Sequence, residues 1–406
     1  MESYDAVVVG AGPAGSCAAR ELAAGGHRVL VLERQRQVAG EIVCAEGITD
    51  FWFRTLGWKP EKAWVSNHVE SVRVYGPRGD YFQVHVGHVG NILERRVFDR
   101  DLAVRAAAAG AEFLVSARFT GAERTKNGLE VSFTHLGKDE RVTARLVIGA
   151  DGPASAVGKA LGLSVDVPIS DVHYTAQVLL SDQGISGDWL GLYAGSDIAP
   201  HGYAWLFTKR DGLANAGVGV ADRKKRIDPL PYLEAFLGKY FPGGKRLSRL
   251  LSVVPTGGHK LKIYGERVMV VGDAARLADP ITGGGLGPAI VSGTTAGQLG
   301  AKALSDDNLS AKRLSEYPKI YWSRADRKAY ELSASLREAY FDFTDDDLNY
   351  IFGQLSPLFH EKSLESMDSV YIGRMILSGA PGLAAFAVKK GKNALFRYLK
   401  ETLFGR

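Results

Sequence analysis

The stretch of residues 4–34 constrains the fold of this chain more than any other. A short apolar run at residues 6–9 has the composition of a buried parallel strand, and it stops at the six-residue segment GAGPAG. A helix of small residues follows, and then a second apolar strand that ends in Glu33. This order of strand, glycine-rich turn, helix, strand and acid predicts a parallel α/β unit that binds a dinucleotide.

Each glycine of the turn has a separate predicted task. Gly10 allows the tight turn, Gly12 lets the backbone approach a pyrophosphate, and Gly15 lets the helix lie close to the strand. The free N–H groups and the positive end of the helix dipole then face the phosphates. Glu33 is placed to accept hydrogen bonds from the adenosine ribose. A glycine-rich turn without a ligand is the alternative, and it leaves the position of the acid unexplained.

Composition narrows the class of protein. With 406 residues, 46% hydrophobic and 23% charged, the chain reads as an ordinary soluble protein of two or three domains. No apolar run reaches the roughly 18 residues that a membrane-spanning helix needs, and the acidic start predicts no signal peptide. Two cysteines, Cys17 and Cys44, indicate a reducing compartment rather than a disulfide framework. The net charge of +5 permits an anionic partner such as phospholipid headgroups.

The hydrophobic pattern changes twice along the chain. From about residue 166 to 262 it turns into short alternating runs, which predict an antiparallel sheet, and the dinucleotide-type pattern returns at residues 267–285 before a helix at 286–304. Residues 112–118 and 129–135 are predicted as antiparallel strands. We therefore predict an α/β fold, in part α+β: a discontinuous Rossmann-like dinucleotide-binding domain (1–65, 92–165 and 263–305), an inserted antiparallel-sheet substrate domain (66–91 and 166–262) and a C-terminal helical region (306–406).

Several separate signatures carry a resemblance to a known family. GAGPAG with Glu33, the pattern Arg95-x-x-Phe-Asp, Asp151-Gly152 and Gly272-Asp273 together resemble the FAD-dependent enzymes of the para-hydroxybenzoate hydroxylase fold. CAEG at 44–47, APHGYAWLFTKRDGLANAGVG at 199–219 and GDAARLADPITGGG at 272–285 are similar to the geranylgeranyl reductase family. The likeness is strongest to its archaeal members, which saturate the prenyl chains of ether lipids. It covers roughly residues 1–300.

The resemblance implies FAD as the cofactor of a discontinuous FAD-binding domain. An arginine such as Arg95 suits the pyrophosphate because it is always charged and donates in a fork; the alternative is a surface arginine. Asp273 suits the ribityl hydroxyls, with a helix N-cap as the alternative. The glycines at 283–285 precede a helix whose N–H groups suit the charge of a reduced flavin. The predicted cofactor-binding residues are Gly10, Gly12, Ala14, Gly15, Glu33, Arg34, Cys44, Ala45, Gly47, Arg95, Phe119, Asp151, Asp273, Gly285 and Leu286.

The resemblance also implies residues at the substrate. It places Cys44 beside the flavin, where the residue shapes the cavity, tunes the flavin or supplies a proton; a small buried hydrophobe is the alternative. Tyr203, Trp205 and Phe207 share one strand face, which suits a prenyl chain or an ordinary sheet core. The predicted proton donors are Cys44, Tyr203 or an ordered water. Arg327, with Arg324 and Lys328, is the predicted contact of a lipid headgroup.

The chain departs from the family pattern at two positions. Thr208 stands where YxWxFPK has proline, and Ala45 stands where Cys-Gly-Glu-Gly has glycine. We expect the first change at a strand end near the substrate and the second beside the flavin. His68, His85 and His88 lie without matching acids or thiols, so no metal is predicted.

The predicted function is reduction of C=C bonds in geranylgeranyl chains, most of all on a digeranylgeranylglycerophospholipid. Reduced FAD would supply a hydride and an acid a proton. The alternatives are an aromatic hydroxylase that uses NADPH and oxygen, a reductase of the prenyl side chain of a quinone or chlorophyll precursor, and a non-catalytic isoprenoid-lipid carrier. With a single GxGxxG, the electron donor stays open between ferredoxin, a reduced deazaflavin and NADPH.

The composition of residues 389–406 bears on the cellular location of the protein. Residues 389–406 form a basic amphipathic pattern, which is typical of a helix on an anionic membrane surface or of a surface helix packed on the body. We expect a cytoplasmic protein, peripheral on the inner face of the cell membrane, with no nucleic-acid partner.

Overall fold

The computed structural model describes residues 1–182, 184–359, 362–363, 382–383 and 386. The side chains of residues 86–88 and 362–363 are outside this description, as is the basic pattern at 389–406. None of the helices within the described residues combines the length and apolar character that a bilayer crossing requires.

The described strands follow the predicted alternation of patterns. In chain order they are β1 (Ser3–Val9), β2 (Val29–Leu32), β3 (Gly47–Thr49), β4 (Val65–Tyr75), β5 (Tyr81–Leu93), β6 (Glu112–Leu114), β7 (Ala117–Thr125), β8 (Gly128–His135), β9 (Lys138–Gly149), β10 (Val172–Ser181), β11 (Trp189–Tyr193), β12 (Tyr203–Thr208), β13 (Leu213–Val220), β14 (Lys245–Arg246), β15 (Leu250–Pro255), β16 (Tyr264–Gly265), β17 (Val268–Val270) and β18 (Lys362–Ser363).

The described helices are distributed along the chain, and five of the ten come after residue 285. They are α1 (Pro13–Ala24), α2 (Asp50–Thr55), α3 (Arg95–Ala108), α4 (Ala156–Ala160), α5 (Leu230–Tyr240), α6 (Leu286–Ser305), α7 (Ala311–Leu314), α8 (Glu316–Ala325), α9 (Arg327–Tyr340) and α10 (Asp345–Phe359).

The first sheet contains the dinucleotide-type unit. Its strand order is β16-β17-β9-β1-β2-β6, and the pairs from β17 to β6 are parallel. The antiparallel strands β7 and β8 extend it from β9. The apolar residues of β1, β2 and β17 are buried on both faces, as expected for a covered parallel sheet, and α1 packs against β1 and β2.

Glycines let α1 and α6 pack almost backbone to backbone. A Cβ on Gly293 would lie 2.1 Å from the Ala14 carbonyl oxygen, and one on Gly297 would lie 2.6 Å from the Ala18 carbonyl oxygen. The close approach fixes the start of α6 next to the start of α1, and both helices then begin at the same side of the sheet.

The second sheet has the order β14-β10-β13-β12-β11-β4-β5-β18, with β15 beside β10 and β3 beside β5. It is mainly antiparallel, and α5 covers its outer face over a core that includes Leu233 and Phe236. Two sheets of this kind in one chain confirm the predicted α/β class with an α+β part.

Two details differ from the sequence-based prediction. Residues 112–118 are not one antiparallel strand: β6 pairs in parallel with β2, and β7 begins separately at Ala117. In the second sheet, β11 pairs with β4 in parallel, because the two strands come from distant parts of the chain and no hairpin dictates their direction.

Candidate active site

A cavity of about 870 Å³, called the central cavity below, lies between the two sheets. One wall is formed by loops at the carboxyl ends of the parallel strands, at Gly12, Ala150 and Gly272; the opposite wall is one face of the second sheet. Ligands of open α/β sheets bind at this end of the strands.

The dinucleotide turn has the geometry that its glycines predict. Gly10 has a φ of 101°, and a Cβ there would lie 2.4 Å from the Ala150 carbonyl oxygen. A Cβ on Gly15 would lie 1.8 Å from the Gly10 carbonyl oxygen, so only glycine allows this contact of helix and strand. A Cβ on Gly12 would meet no protein atom within 4 Å, and Gly12 lines the central cavity. The open side of Gly12 therefore faces ligand space.

Two helices begin at the central cavity, and neither has a side-chain cap. Gly12 precedes α1 and Gly285 precedes α6, and in both cases no side chain accepts from the first N–H groups. Ala14 and Leu286, in the first turns, also line the cavity. Two uncapped helix starts leave N–H donors and two positive dipole ends for phosphates and for an electron-rich ring. The residues present therefore fit FAD.

Glu33 lies at the carboxyl end of β2 and is 8% exposed. The Ala11 N–H donates to Oε2 at 2.9 Å, and the Gln35 N–H donates to Oε1 at 2.8 Å. These bonds fix the carboxylate beside the glycine turn, and its remaining acceptor positions suit ribose hydroxyls. Arg34, the next residue, is exposed and is outside the cavity lining.

Arg95 begins α3 in the cavity wall and is 9% exposed, so it is not a surface arginine. Asp99, one turn later, accepts from Nε at 2.6 Å and from Nη2 at 2.8 Å. This pair, both members of which are buried, holds the guanidinium in a fixed orientation at the cavity.

Three further predicted cofactor residues differ in their positions. Asp273 lines the cavity, burial raises the pKa of its carboxyl, and a Cβ on Gly285 would lie 3.2 Å from its Oδ1. Asp151 is outside the cavity lining; its Oδ2 accepts from the Val157 N–H at 3.1 Å, and its buried Oδ1 has no partner among the described residues. Phe119 is partly buried, packs against the main core and is also outside the lining.

The segment at 44–47 runs along the cavity, and Cys44, Ala45 and Gly47 all line it. Its backbone is held from the second sheet. Gln177 Nε2 donates to the Cys44 carbonyl at 3.0 Å, and Asn215 Nδ2 donates to the Ala45 carbonyl at 3.1 Å. Burial raises the pKa of the Cys44 thiol, so this residue keeps its proton at neutral pH.

A partly buried ion cluster anchors the same segment. Lys209, 8% exposed, pairs with the Glu46 carboxylate and lies 3.2 Å from Glu94 Oε1. Asn215 Nδ2 also donates to Glu46 Oε2 at 2.7 Å. Glu46 has a φ of 72°, a strained backbone conformation that this cluster holds in place. The sequence analysis missed Gln177, Lys209 and Asn215. For Asn215 the available signal was its alternation with Gly217 and Gly219 on one face of β13.

The wall of the second sheet is aromatic. Tyr203, Trp205 and Phe207 line the cavity, while Ala204 and Leu206 point to the core under α5, as the alternation predicts. Glycines opposite them make room for the rings. A Cβ on Gly217 would lie 2.4 Å from Trp205 Cζ2, and one on Gly47 would lie 2.7 Å from Phe207 Cε2.

Tyr203 links this wall to the loop before α6. Its hydroxyl donates to the Thr282 carbonyl, and burial raises the pKa of its phenol. Thr208, at the end of β12, points away from the cavity, and its Oγ1 donates to the Trp189 carbonyl at 2.6 Å. The position where the family has proline therefore joins two strands, and its side chain does not reach the cavity.

The predicted headgroup residues lie outside the central cavity. Arg327 is exposed and pairs with Glu331 at 2.6 Å, and Arg324 donates to Thr295 Oγ1 at 3.0 Å. Lys328 is exposed. In the same helix as Arg327, the cavity is lined instead by Arg337.

Two histidines of β4 and β5 contact uncharged polar side chains. His68 Nδ1 is 2.8 Å from Asn91 Oδ1, and His85 Nδ1 is 3.0 Å from Ser71 Oγ. The side chain of His88 is outside the description. The part of the chain that the structure describes contains no group of three or more residues arranged to hold a metal.

Comparison with known proteins gives the same picture. A family model described as FAD binding domain matches residues 3–191, and one described as geranylgeranyl reductase catalytic domain matches residues 171–256. The chain is 36% identical over 354 residues to digeranylgeranylglycerophospholipid reductase 2 of Methanococcoides burtonii, covering 86% of this chain and 87% of that one. It is 35% identical over 372 residues to digeranylgeranylglycerophospholipid reductase of Methanosarcina acetivorans, covering 90% of each.

Solved structures agree with these likenesses. A geranylgeranyl bacteriochlorophyll reductase-like protein from Thermoplasma acidophilum matches with a TM-score of 0.87 at 30% identity, over 96% of this chain and 99% of that one. A flavin-dependent brominase matches with a TM-score of 0.69 at 16% identity over 96% of this chain and 99% of that one, which shows the shared fold alone. The relatives and the matched domains show that the chain belongs to the geranylgeranyl reductase family of FAD-dependent oxidoreductases.

Proposed function

We propose that this protein saturates the C=C bonds of geranylgeranyl chains carried by a digeranylgeranylglycerophospholipid. The names of its relatives support this substrate. The observation that carries the proposal is the central cavity itself, because its opposite walls are the dinucleotide turn and the aromatic strand face. A prenyl chain on Trp205 and Phe207 would lie across from the cofactor.

When bound and reduced, FAD supplies the hydride for the alkene. The chain's own residues supply the positioning, which matters because an isolated alkene is weakly polarised and reacts only from a well-aligned geometry. Tyr203, Trp205 and Phe207 provide the apolar wall, and water is displaced from it as the prenyl chain binds.

A proton must reach the other alkene carbon, because the hydride adds to only one of the two. Cys44 and Tyr203 both line the cavity, and both keep their protons at neutral pH because burial raises the pKa of each. The Tyr203 proton is already donated to the Thr282 carbonyl, so Cys44 is the acid that we favour. C44A should retain FAD and lose at least about tenfold in the single-turnover reduction rate. A full rate in C44A removes Cys44 from this role.

A phospholipid substrate also implies contact with a membrane surface. We propose peripheral binding, supported by the net charge of +5. Co-sedimentation with anionic liposomes should be lost in high salt, since electrostatic attraction is screened there. Truncation before residue 389 tests the basic pattern at the chain end, and unchanged sedimentation excludes that segment as the anchor. The electron donor is tested separately: ferredoxin, a reduced deazaflavin and NADPH are compared for their ability to reduce the bound FAD.

Products distinguish the proposed reaction from its competitors. The FAD-loaded protein is reduced without oxygen and given a digeranylgeranyl phospholipid, a prenylated quinone or a phenol. The proposal predicts added pairs of hydrogen atoms, by mass spectrometry, with the phospholipid as the best substrate. Preference for the quinone favours a different prenyl acceptor, and a phenol that gains an oxygen atom after air is admitted favours a hydroxylase. Binding of lipid without hydrogen transfer favours a carrier.

A further inference from the structure

Arg337, in α9, is a buried cation in the wall of the central cavity. It is 3% exposed, its Nη1 donates to Asp171 Oδ1 at 3.1 Å, and its guanidinium lies 5.0 Å from the Phe341 ring centroid. Nε and Nη2 are both buried, and neither has a hydrogen-bond partner among the described residues. Buried donors without a partner are rare in native proteins, so two on one side chain require an explanation.

The two unpaired nitrogens form one edge of the guanidinium. This edge presents parallel N–H bonds that match two oxygens of a phosphate or carboxylate. Arg95 demonstrates the match within the same cavity, because Asp99 occupies the corresponding Nε and Nη2 edge. In Arg337 the Asp171 carboxylate takes only Nη1 and leaves the forked edge for a ligand.

His173 adds a second unpaired group in the same wall. It is 9% exposed, lines the cavity, and its buried Nε2 has no partner among the described residues. The ring also has a backbone hydrogen bond to Pro280, which can only accept, so Nδ1 carries the proton and Nε2 carries a lone pair. Burial and the neighbouring Arg337 cation lower the pKa of His173 to about 3, which keeps the ring neutral. It therefore offers an acceptor beside the donors of Arg337.

We propose that Arg337 and His173 bind the phosphate of the substrate lipid inside the central cavity. This inference rests on the proposed function. A phosphate in an otherwise apolar cavity needs a charged partner with matching geometry, since a desolvated unpaired charge is strongly disfavoured. Arg337 would take two phosphate oxygens, and His173 would accept from a protonated oxygen or a bridging water. The headgroup site is thus at Arg337, ten residues beyond the arginine that the sequence indicated.

Equilibrium binding to the FAD-loaded protein tests this site without any turnover. The probes are geranylgeranyl phosphate and geranylgeraniol, which share the prenyl chain and differ in the phosphate, and binding is followed by the flavin absorbance. R337Q should weaken the binding of geranylgeranyl phosphate by about tenfold or more, which is the range of charge-assisted hydrogen bonds. Its affinity for geranylgeraniol should stay within about threefold of the wild-type value. The matched control is R223Q: Arg223 lies 5.1 Å from the same Phe341 ring but is exposed and paired with Asp342, so neither ligand should change.

Other outcomes overturn the site. If R337Q loses affinity equally for both probes, Arg337 has a packing role only. If R337Q loses no affinity for either probe, Arg337 does not take part in binding. If R337Q does not hold FAD, R337K is measured instead, because lysine keeps the positive charge but lacks the forked donor edge. A loss of affinity for geranylgeranyl phosphate alone supports the site. Equal losses of affinity for both probes overturn it. Inorganic phosphate that binds as tightly as geranylgeranyl phosphate assigns the site to a free anion instead. A wild-type protein that binds the phosphate through Arg337 yet never transfers hydrogen contradicts the proposed function and leaves the site standing.

Discussion

The two walls of the central cavity present different chemical groups to a ligand. The wall at the first sheet offers backbone groups at Gly12, Gly285 and two uncapped helix starts, beside the side chains of Arg95 and Asp273. The wall at the second sheet consists of side chains, the rings of Tyr203, Trp205 and Phe207, seated on glycines of neighbouring elements. Backbone groups recognise charge and shape that all dinucleotides share, whereas rings set the width and path of an apolar channel. We therefore assign cofactor binding to the first wall and substrate selection to the second.

Glycine substitutions break the backbone wall and should have the largest effects. G15A places a Cβ 1.8 Å from the Gly10 carbonyl oxygen, so we expect loss of FAD and of about 3 kcal/mol in the free energy of unfolding. G12A meets no protein atom, so it should fold normally and lose about 100-fold in FAD affinity. Flavin content and urea unfolding measure both.

G238A is the control for these two variants, since its Cβ would also meet nothing within 4 Å and Gly238 is outside the cavity lining. It should keep full flavin content. A G12A protein that retains FAD with wild-type affinity would contradict the assignment of the first wall.

The ion cluster under residues 44–47 joins the two walls, and breaking it should cost nearly as much. K209M removes the cation that pairs with the Glu46 carboxylate, which is mostly buried and keeps its hydrogen bond from Asn215, so we expect a loss of about 1–3 kcal/mol in the free energy of unfolding, measured in urea. R327M removes an exposed pair and should change stability by less than about 0.5 kcal/mol. Equal effects of the two variants would show that the cluster is not a structural anchor.

A smaller and more selective effect is expected from displacing a ring of the aromatic wall. G217A would push the Trp205 ring, because its Cβ would lie 2.4 Å from Cζ2. We expect normal FAD content and a single-turnover reduction slower by about tenfold, the cost of a misplaced substrate. G219A is the matched control on the same strand face, since its nearest atom is at 3.7 Å. Equal rates in both variants would contradict the role of the Trp205 position.

The smallest expected effect concerns the pH dependence of Cys44. Burial raises the pKa of its thiol above the ordinary value of 9.0, so the reactive thiolate is scarce at pH 8 and should still be increasing above pH 9. Alkylation by iodoacetamide, mapped by mass spectrometry, should be slow at pH 8 and rise with pH. Burial raises the pKa of Cys17 to about 12, so this second thiol should stay unreacted. Rapid labelling of Cys44 at pH 7 would contradict its protonated state.

The backbone wall was predictable because its signals are local. The spacing of Gly10, Gly12 and Gly15 within one turn specifies a local conformation, and the structure has the positive φ of Gly10 and the close contact of Gly15 with the Gly10 carbonyl. The alternation of β12 was predictable for the same reason: side chains of one strand face alternate sides whatever the strand pairs with.

Contacts across the fold were not predictable. Lys209 and its partner Glu46 are 163 residues apart, and only the register of the second sheet brings them together. The cavity position of Arg337 was not predictable for the same reason. Ten residues separate Arg327 from Arg337, and the packing of α9, not its sequence, decides which one reaches the cavity.

Photo-crosslinking tests most directly whether the aromatic wall holds the prenyl chain. A geranylgeranyl phospholipid with a diazirine on the chain is irradiated with the FAD-loaded protein, and the labelled peptides are identified by mass spectrometry. We predict labels within residues 203–207 and 44–47, and their loss when unlabelled phospholipid is added in excess. Competed labels confined to peptides outside the central cavity would contradict the account, because the prenyl chain would then bind away from the cofactor.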